Sequence, residues 1–377
     1  MGPLVLAEVS VSSGTRRPDC DPGRLPPSIG RAFRAALAEA SRHMGATAPN
    51  PPVGCAILDA RGEILAVAAH HRAGAPHAEA LALRICAQQG LIDRAATAVV
   101  TLEPCNHTGR TGPCSEAILA SPIRTVWIGA ADPNPRVAGG GAARLGAAGC
   151  DVRMLADLAG PNAADPDAAD LAADCRALIA PFVHWSRTGR TWMTVKQAVA
   201  ADGSMIPPAG RTTFTSDSAL DVAHRLRRAT DAVVTGIGTV LADRPALDVR
   251  RVADHAGRAR RLLVVCDRRG RLPDDWRAAA TARGFDVRAC DDVAQVPALL
   301  GEAGALWALV EAGPALLDAM RGAGVWDDWL TIGVTAGGRE RMDITVRDGA
   351  GGSGRDTPLR LIPGLAVPRE GTCFPAS

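Results

Sequence analysis

One stretch limits what this chain can fold into: Thr101-Leu102-Glu103-Pro104-Cys105-Asn106-His107-Thr108-Gly109-Arg110-Thr111-Gly112-Pro113-Cys114, taken with His77-Ala78-Glu79 upstream. Two thiols and an imidazole can hold one ion only if a strand end, a loop and two helix starts meet. The β-branched run from Thr97 to Leu102 reads as a strand that delivers Glu103, Pro104 and Cys105 at its end. Pro76 precedes a predicted helix with His77 and Glu79 in its first turn. Cys114 starts another, Ser115 to Ala120. Eight residues separate the two cysteines, more than in a zinc-finger pair. Gly109, Gly112 and Pro113 let that loop curl back. A helix start beside a cysteine favours the thiolate.

Catalytic zinc takes three protein ligands and leaves a fourth position for water. His77, Cys105 and Cys114 meet that count. Zinc brings the pKa of its water toward neutrality, which suits attack on an amidine carbon of a ring. Ammonia then leaves only if it receives a proton. Glu79 is suited to take one from water and pass it on. His-x-Glu with Pro-Cys and a second Cys, at shorter spacing, marks zinc nucleobase deaminases. A single cysteine elsewhere is usually a small core residue, and Cys55, Cys20 and Cys373 are read that way. His70, His71 and His107 are candidates for substrate contact.

The rest of the chain must be longer than one core. At 377 residues it predicts two domains, perhaps more. Net charge of +2 gives no basic field for nucleic acid or a membrane surface. Aromatics at 3% supply few platforms for stacking bases. No apolar run reaches the roughly 18 residues of a span. Ten irregularly spaced cysteines are not a secreted disulfide framework, which predicts a cytoplasmic chain with reduced thiols.

Residues 1–27 read as a disordered extension. A helix follows, with Ser28 as its N-cap, then strands at 53–58 and 64–69. Residues 28–170 are assigned to a first domain, 171–188 to a linker and 189–377 to a second. In the second, strands are expected at 191–199, 231–236, 262–266, 306–310 and 329–334, with a helix at 217–228 and loop over 336–357. Alternating helices and strands in both halves predict α/β architecture. Lys196 is the sole lysine among 42 basic residues. A compact, titratable ammonium does what a guanidinium cannot, so Lys196 is a candidate functional residue.

These residues carry a resemblance. Pro49-Asn50-Pro51-Pro52-Val53-Gly54-Cys55, His71-Arg72-Ala73-Gly74-Ala75-Pro76-His77-Ala78-Glu79, the 101–114 stretch and Asp132-Pro133-Asn134-Pro135 resemble the bifunctional riboflavin-biosynthesis pyrimidine deaminases fused to a reductase. In the second half Lys196, Asp202-Gly203, Gly236 to Asp243, Pro245 to Arg250 and Glu311-Ala312-Gly313-Pro314 carry a looser likeness. The resemblance implies a cytidine-deaminase-like α/β/α sandwich followed by a dihydrofolate-reductase-like α/β domain, with Zn2+ and NADPH as cofactors. It implies a phosphoribosylaminopyrimidine substrate and a homo-oligomer, with neither nucleic acid nor membrane as partner. It places His77, Cys105 and Cys114 on zinc, Glu79 as proton shuttle and Asn50 on the ring. Lys196, Asp243 and Glu311 fall on catalytic positions, Arg228 and Arg250 on the sugar phosphate, and Thr239, Ser216 and Gly313 on the NADPH side.

The second half also departs from the family pattern, at Ala200, Ser204, Thr212-Thr213, Phe214 and Arg244. Arg244 can either pair with Asp243 or reach the phosphate. These departures motivate a competing reading, a working deaminase whose second domain has diverged. A nucleic-acid base deaminase and a structural zinc module are the other competitors. Charge and scarce aromatics oppose the first; three ligands plus Glu79 oppose the second.

Overall fold

The computed structural model describes residues 23–107, 112–133, 140–159, 165–208, 210, 213–347 and 356–365. The first 22 residues of the expected extension, and much of both loops Thr108–Thr111 and Asn134–Gly139, lie outside the described residues. The described end of that extension is packed: Leu25 is buried and its N–H donates to Asp165 Oδ2 at 2.8 Å.

The first half runs α1 (Pro27–Ser41), β1 (Gly54–Asp59), β2 (Ile64–Ala69), α2 (Ala78–Gln88), β3 (Ala95–Leu102), α3 (Cys114–Leu119), β4 (Thr125–Ala130), α4 (Gly140–Ala147), β5 (Asp151–Met154) and α5 (Leu155–Leu158). Pro26, not Ser28, is the N-cap of α1, and Pro27 opens the helix with its φ preset and no N–H to satisfy. The sheet order is β2-β1-β3-β4-β5, antiparallel at β1 and parallel from β3 to β5. Side chains alternate across it. Cys55 and Ile57 pack with Ala82, Ile118 and Leu145 of α2, α3 and α4. Ala56 and Leu58 pack with Phe33 and Leu37 of α1 and Leu155 of α5. The result is the expected α/β/α sandwich. Gly54 lets α1 close onto β1, since a Cβ there would lie 2.1 Å from the Ala36 carbonyl oxygen.

Residues 171–188 are not a linker. They form the body of α6 (Pro166–Thr188). Asp165 caps it, accepting the N–H groups of Asp167 and Ala168 at 2.9 and 3.2 Å, and Gly189 ends it at φ 69°. Leu171, Cys175 and Leu178 make one apolar face at helical spacing. That face joins α1 and α5 to Trp192, Leu226, Trp307 and Leu330 from the second half.

The second half continues with β6 (Trp192–Val199), α7 (Asp217–Ala229), β7 (Ala232–Gly236), α8 (Ile237–Asp243), β8 (Arg261–Cys266), α9 (Asp274–Ala282), β9 (Phe285–Cys290), α10 (Val296–Glu302), β10 (Trp307–Val310), α11 (Pro314–Ala323), β11 (Asp328–Val334) and β12 (Glu340–Val346). Its sheet order is β12-β11-β6-β10-β7-β8-β9, parallel except for β12. Strand β12 corrects the loop expected over 336–357. It is an edge strand with charged Arg341 and Asp343 on its exposed face, while Met342 and Ile344 pack on the core. Among the described residues no helix is long and apolar enough to cross a membrane.

Candidate active sites

The end of β3, the start of α3 and the start of α2 converge as the motif spacing requires. His77 Nδ1 lies 3.6 Å from Cys105 Sγ and 3.3 Å from Cys114 Sγ. Tetrahedral Zn–N and Zn–S bonds of about 2.0 and 2.3 Å put such atoms roughly 3.5 Å apart, so the donor set fits zinc. The Cys114 N–H donates to Cys105 Sγ at 3.4 Å. The Cys105 thiol is held down at about 4, first by the Cys114 thiol bonded to it and then by His77. Cys114, on the other side of the same proton, moves upward. A sulfur already inclined to the thiolate form is the one an ion requires.

Glu79 is the second residue of α2, so helix geometry sets its carboxyl beside the ligands. It is 3% exposed. Burial pushes its carboxyl upward, and the Cys114 thiol hydrogen-bonds to it. A carboxyl whose proton affinity is raised beside an ion site can both accept and return a proton.

Asn50 and His70 complete the wall. His70 Nδ1 is 3.1 Å from the Pro76 carbonyl, so Nδ1 carries the proton and Nε2 accepts from Asn50 Nδ2 at 3.2 Å. Burial lowers the pKa of His70, in keeping with this neutral form. Its ring meets His77 edge-on at 5.4 Å. The Asn50 amide is thereby oriented. Of the other two histidines considered, His107 is exposed and His71 stacks on His43, at 4.3 Å between centroids.

Sequence reasoning missed Glu103. Its buried carboxylate accepts the N–H groups of Gly141 and Ala142 at 3.2 and 3.1 Å and that of Asp132 at 3.2 Å. It ties the Pro104-Cys105 turn to the start of α4. The signal was available: an acid next to Pro-Cys at the end of a buried strand must find donors.

In the second sheet β10 runs parallel to β6 with Val310 opposite Val195. The next residues, Glu311 and Lys196, therefore fall side by side at the strands' carboxyl ends, where open α/β sheets take ligands. Lys196 Nζ donates to Glu311 Oε1 at 3.0 Å. Arg227 donates to the same carboxylate through Nε at 2.5 Å and Nη2 at 3.2 Å. Burial pushes the Glu311 carboxyl up, but Arg227 and then Lys196 outweigh it and hold the group well below the usual carboxylate range. Arg227 was not foreseen. Its position four residues after Ala223 on α7 puts it on the buried face, and that phase was readable.

Arg228, expected at the sugar phosphate, is engaged by backbone carbonyls on both halves. Its Nη2 donates to the Arg42 carbonyl at 2.8 Å and its Nε to Ala253 at 2.9 Å, so it joins the two halves. One residue of helix rotation separates it from Arg227. Arg250 is exposed, with Nη1 2.6 Å from Asp248 Oδ1. Asp243 is exposed at the end of α8. Arg244 does not pair with Asp243: it ends α8 in the left-handed region at φ 42° and pairs with Asp275. Thr239 and Gly313 do meet, the Gly313 N–H donating to Thr239 Oγ1 at 3.1 Å. Ser216 caps α7, accepting from the Ala219 N–H at 3.2 Å, and donates to Glu340.

Residues 28–130 match the model of the cytidine and deoxycytidylate deaminase zinc-binding region, and 191–332 match that of the RibD C-terminal domain. The riboflavin biosynthesis protein RibD of Mycobacterium tuberculosis is 36% identical over 299 residues, which cover 79% of this chain and 82% of that one. RibD of Acinetobacter baumannii is similar in structure, with TM-score 0.65 and 30% identity, covering 82% and 87%. A diaminohydroxyphosphoribosylaminopyrimidine deaminase/5-amino-6-(5-phosphoribosylamino)uracil reductase from Thermotoga maritima has TM-score 0.68 and 26% identity over the same shares. With both domain signatures in one chain and a relative matched over most of its length, the chain belongs to the RibD family of bifunctional riboflavin-biosynthesis deaminase/reductases.

Proposed function

We propose that the first site deaminates 2,5-diamino-6-(5-phosphoribosylamino)pyrimidin-4-one and that the second reduces the ribosyl chain of the product to ribityl. The observation that carries the reading is His77, Cys105 and Cys114 within hydrogen-bonding distance of one another beside buried Glu79. Zinc held by these three supplies a Lewis acid that makes water nucleophilic at neutral pH. Asn50 holds the ring, its amide set by His70. The water oxygen ends on the ring carbon and the exocyclic C–N bond breaks. Glu79 takes a water proton on its carboxylate and delivers it to the departing nitrogen, which leaves as ammonia.

In the second site NADPH supplies the hydride. Glu311 holds the Lys196 ammonium at one place, and Arg227 keeps Glu311 ionised. Lys196 can then give a proton to the sugar ring oxygen, whose bond to the anomeric carbon breaks as that carbon takes the hydride, while the C–N bond to the pyrimidine stays. Thr239, Gly313 and Ser216 are assigned to the cofactor side, and Asp243 and Arg250 to the substrate side. The intact Lys196–Glu311–Arg227 set and the family match over 191–332 disfavour a second half that has lost reductase chemistry. The same reading divides the chain into a deaminase part from residue 28 and a reductase part from 189, with α6 common to both. It takes the protein to be a homo-oligomer working in the cytoplasm.

Purified protein given zinc and the phosphate substrate should release ammonia and only then oxidise NADPH. Glu79→Gln should lower ammonia release by roughly 10²–10⁴-fold while zinc content stays at one per site. Unchanged ammonia release in that variant would reject the deaminase assignment.

A further inference from the structure

A second group of metal-type ligands, sharing no residue with the His77–Cys105–Cys114 set, lies where the two halves meet. Glu39 lies in the last turn of α1, and His43 lies in the turn two residues beyond its end. His43 Nε2 is 3.6 Å from Glu39 Oε1. His71, on the loop leading to His77, stacks on His43 with centroids 4.3 Å apart. One ligand atom from each of the three lies within 4.8 Å of the others. A third imidazole, His255 from the second half, stacks beyond His43 at 6.4 Å. It is already committed: Nε2 donates to the Met44 carbonyl at 2.8 Å and Nδ1 lies 3.4 Å from Arg228 Nη2. No such commitment holds His71, which makes no hydrogen bond among the described residues.

We propose that Glu39, His43 and His71 form a second cation site, selective for a borderline transition ion such as Zn2+, Co2+ or Ni2+. Two imidazoles and one carboxylate are the donor set such ions take, in contrast to the all-oxygen sets of Mg2+ and Ca2+. Ligands at about 2.0–2.1 Å from one ion stand roughly 3.4 Å apart. Closing the present gap calls for rotation of the half-buried Glu39 and His43 side chains and of the exposed His71. The competing partner is weak: Arg42 Nη1 meets Glu39 Oε2 at 3.0 Å, but the Arg42 side chain is 71% exposed, and such pairs contribute little. The ion would tie the end of α1 to the 70–76 loop. That loop carries the His70–Pro76 contact behind Asn50.

The test uses untagged full-length protein with its thiolate site already filled. Co2+ is titrated in, followed by metal analysis and absorption spectroscopy. The expected result is a second equivalent with weak d–d bands and no added sulfur-to-metal charge transfer. His71→Ala and Glu39→Gln should each weaken that equivalent by at least roughly tenfold and leave the first unchanged. His71 is exposed, so its variant should fold as wild type does. A total of only one metal equivalent per chain after the Co2+ titration, or a second equivalent that persists unweakened in both variants, would overturn the proposal.

Discussion

Glu103 shows how much a single side chain can do without touching substrate. Three backbone N–H groups converge on it, and Gly141 packs so tightly that a Cβ would lie 1.8 Å from the Pro104 carbonyl oxygen. Glu103→Ala should leave those buried donors unpaired and let Cys105 drift. We expect a 10–100-fold loss in zinc affinity, read by competition with a chelator, and a matching fall in deamination rate. A rate lost with zinc affinity unchanged would place Glu103 in the chemistry rather than behind it. The ligand residues themselves were legible because zinc demands particular atoms. Glu103 was not, because its role depends on which N–H groups the fold brings to it. The same holds for Arg227 against Arg228: the pair of arginines is obvious in sequence, and which one faces Glu311 depends on the phase of α7.

At the scale of elements, α6 is the instructive case. Its Ala- and Asp-rich sequence reads as a spacer, yet Asp165 satisfies three N–H groups, two of its own helix and that of Leu25. Asp165→Ala should remove the cap and the anchor of the N-terminal approach together. A cap is worth about 0.5–2 kcal/mol, and the buried Leu25 N–H adds to that loss. The check is a urea midpoint: a shift below about 0.5 kcal/mol would show that α6 is held by its apolar face alone. Most strands were readable because parallel strands buried on both faces are continuous apolar runs. Strand β12 was hidden because an edge strand carries charges on alternate positions. The helix and strand at α9 and β9 also escaped prediction, where Arg and Asp interrupt the apolar pattern.

At the scale of the molecule, the contact between halves is polar as well as apolar, and it is sensitive to acid. His255 is pushed down to about 4, first by burial and then by the Arg228 guanidinium, with Arg258 adding to it and Asp254 opposing. His224, against Arg227 and Arg250, is also near 4, burial again leading. An unfolded imidazole protonates near 6.5, whereas these resist until about 4. Below 6.5 the unfolded state therefore binds more protons, so stability is full above that pH and declines as pH falls toward 4. Each histidine contributes a slope of about 1.4 kcal/mol per pH unit within the window. Denaturation midpoints between pH 7.5 and 5 should show the decline, and His255→Gln should reduce its slope by about one proton. A slope unchanged by that substitution would place the acid sensitivity elsewhere.

The helix between the two sheets bears on how such a chain could be taken apart. Leu171, Cys175 and Leu178 lie in one apolar cluster with Phe33 on one side and Trp192, Leu226, Trp307 and Leu330 on the other. There is thus no seam at which fission would leave two finished surfaces. A fragment starting at residue 189 would bare a tryptophan-rich floor, and one ending before 166 would lose the cover of its own sheet. Any free-standing version of either activity must keep this helix or evolve a replacement for it.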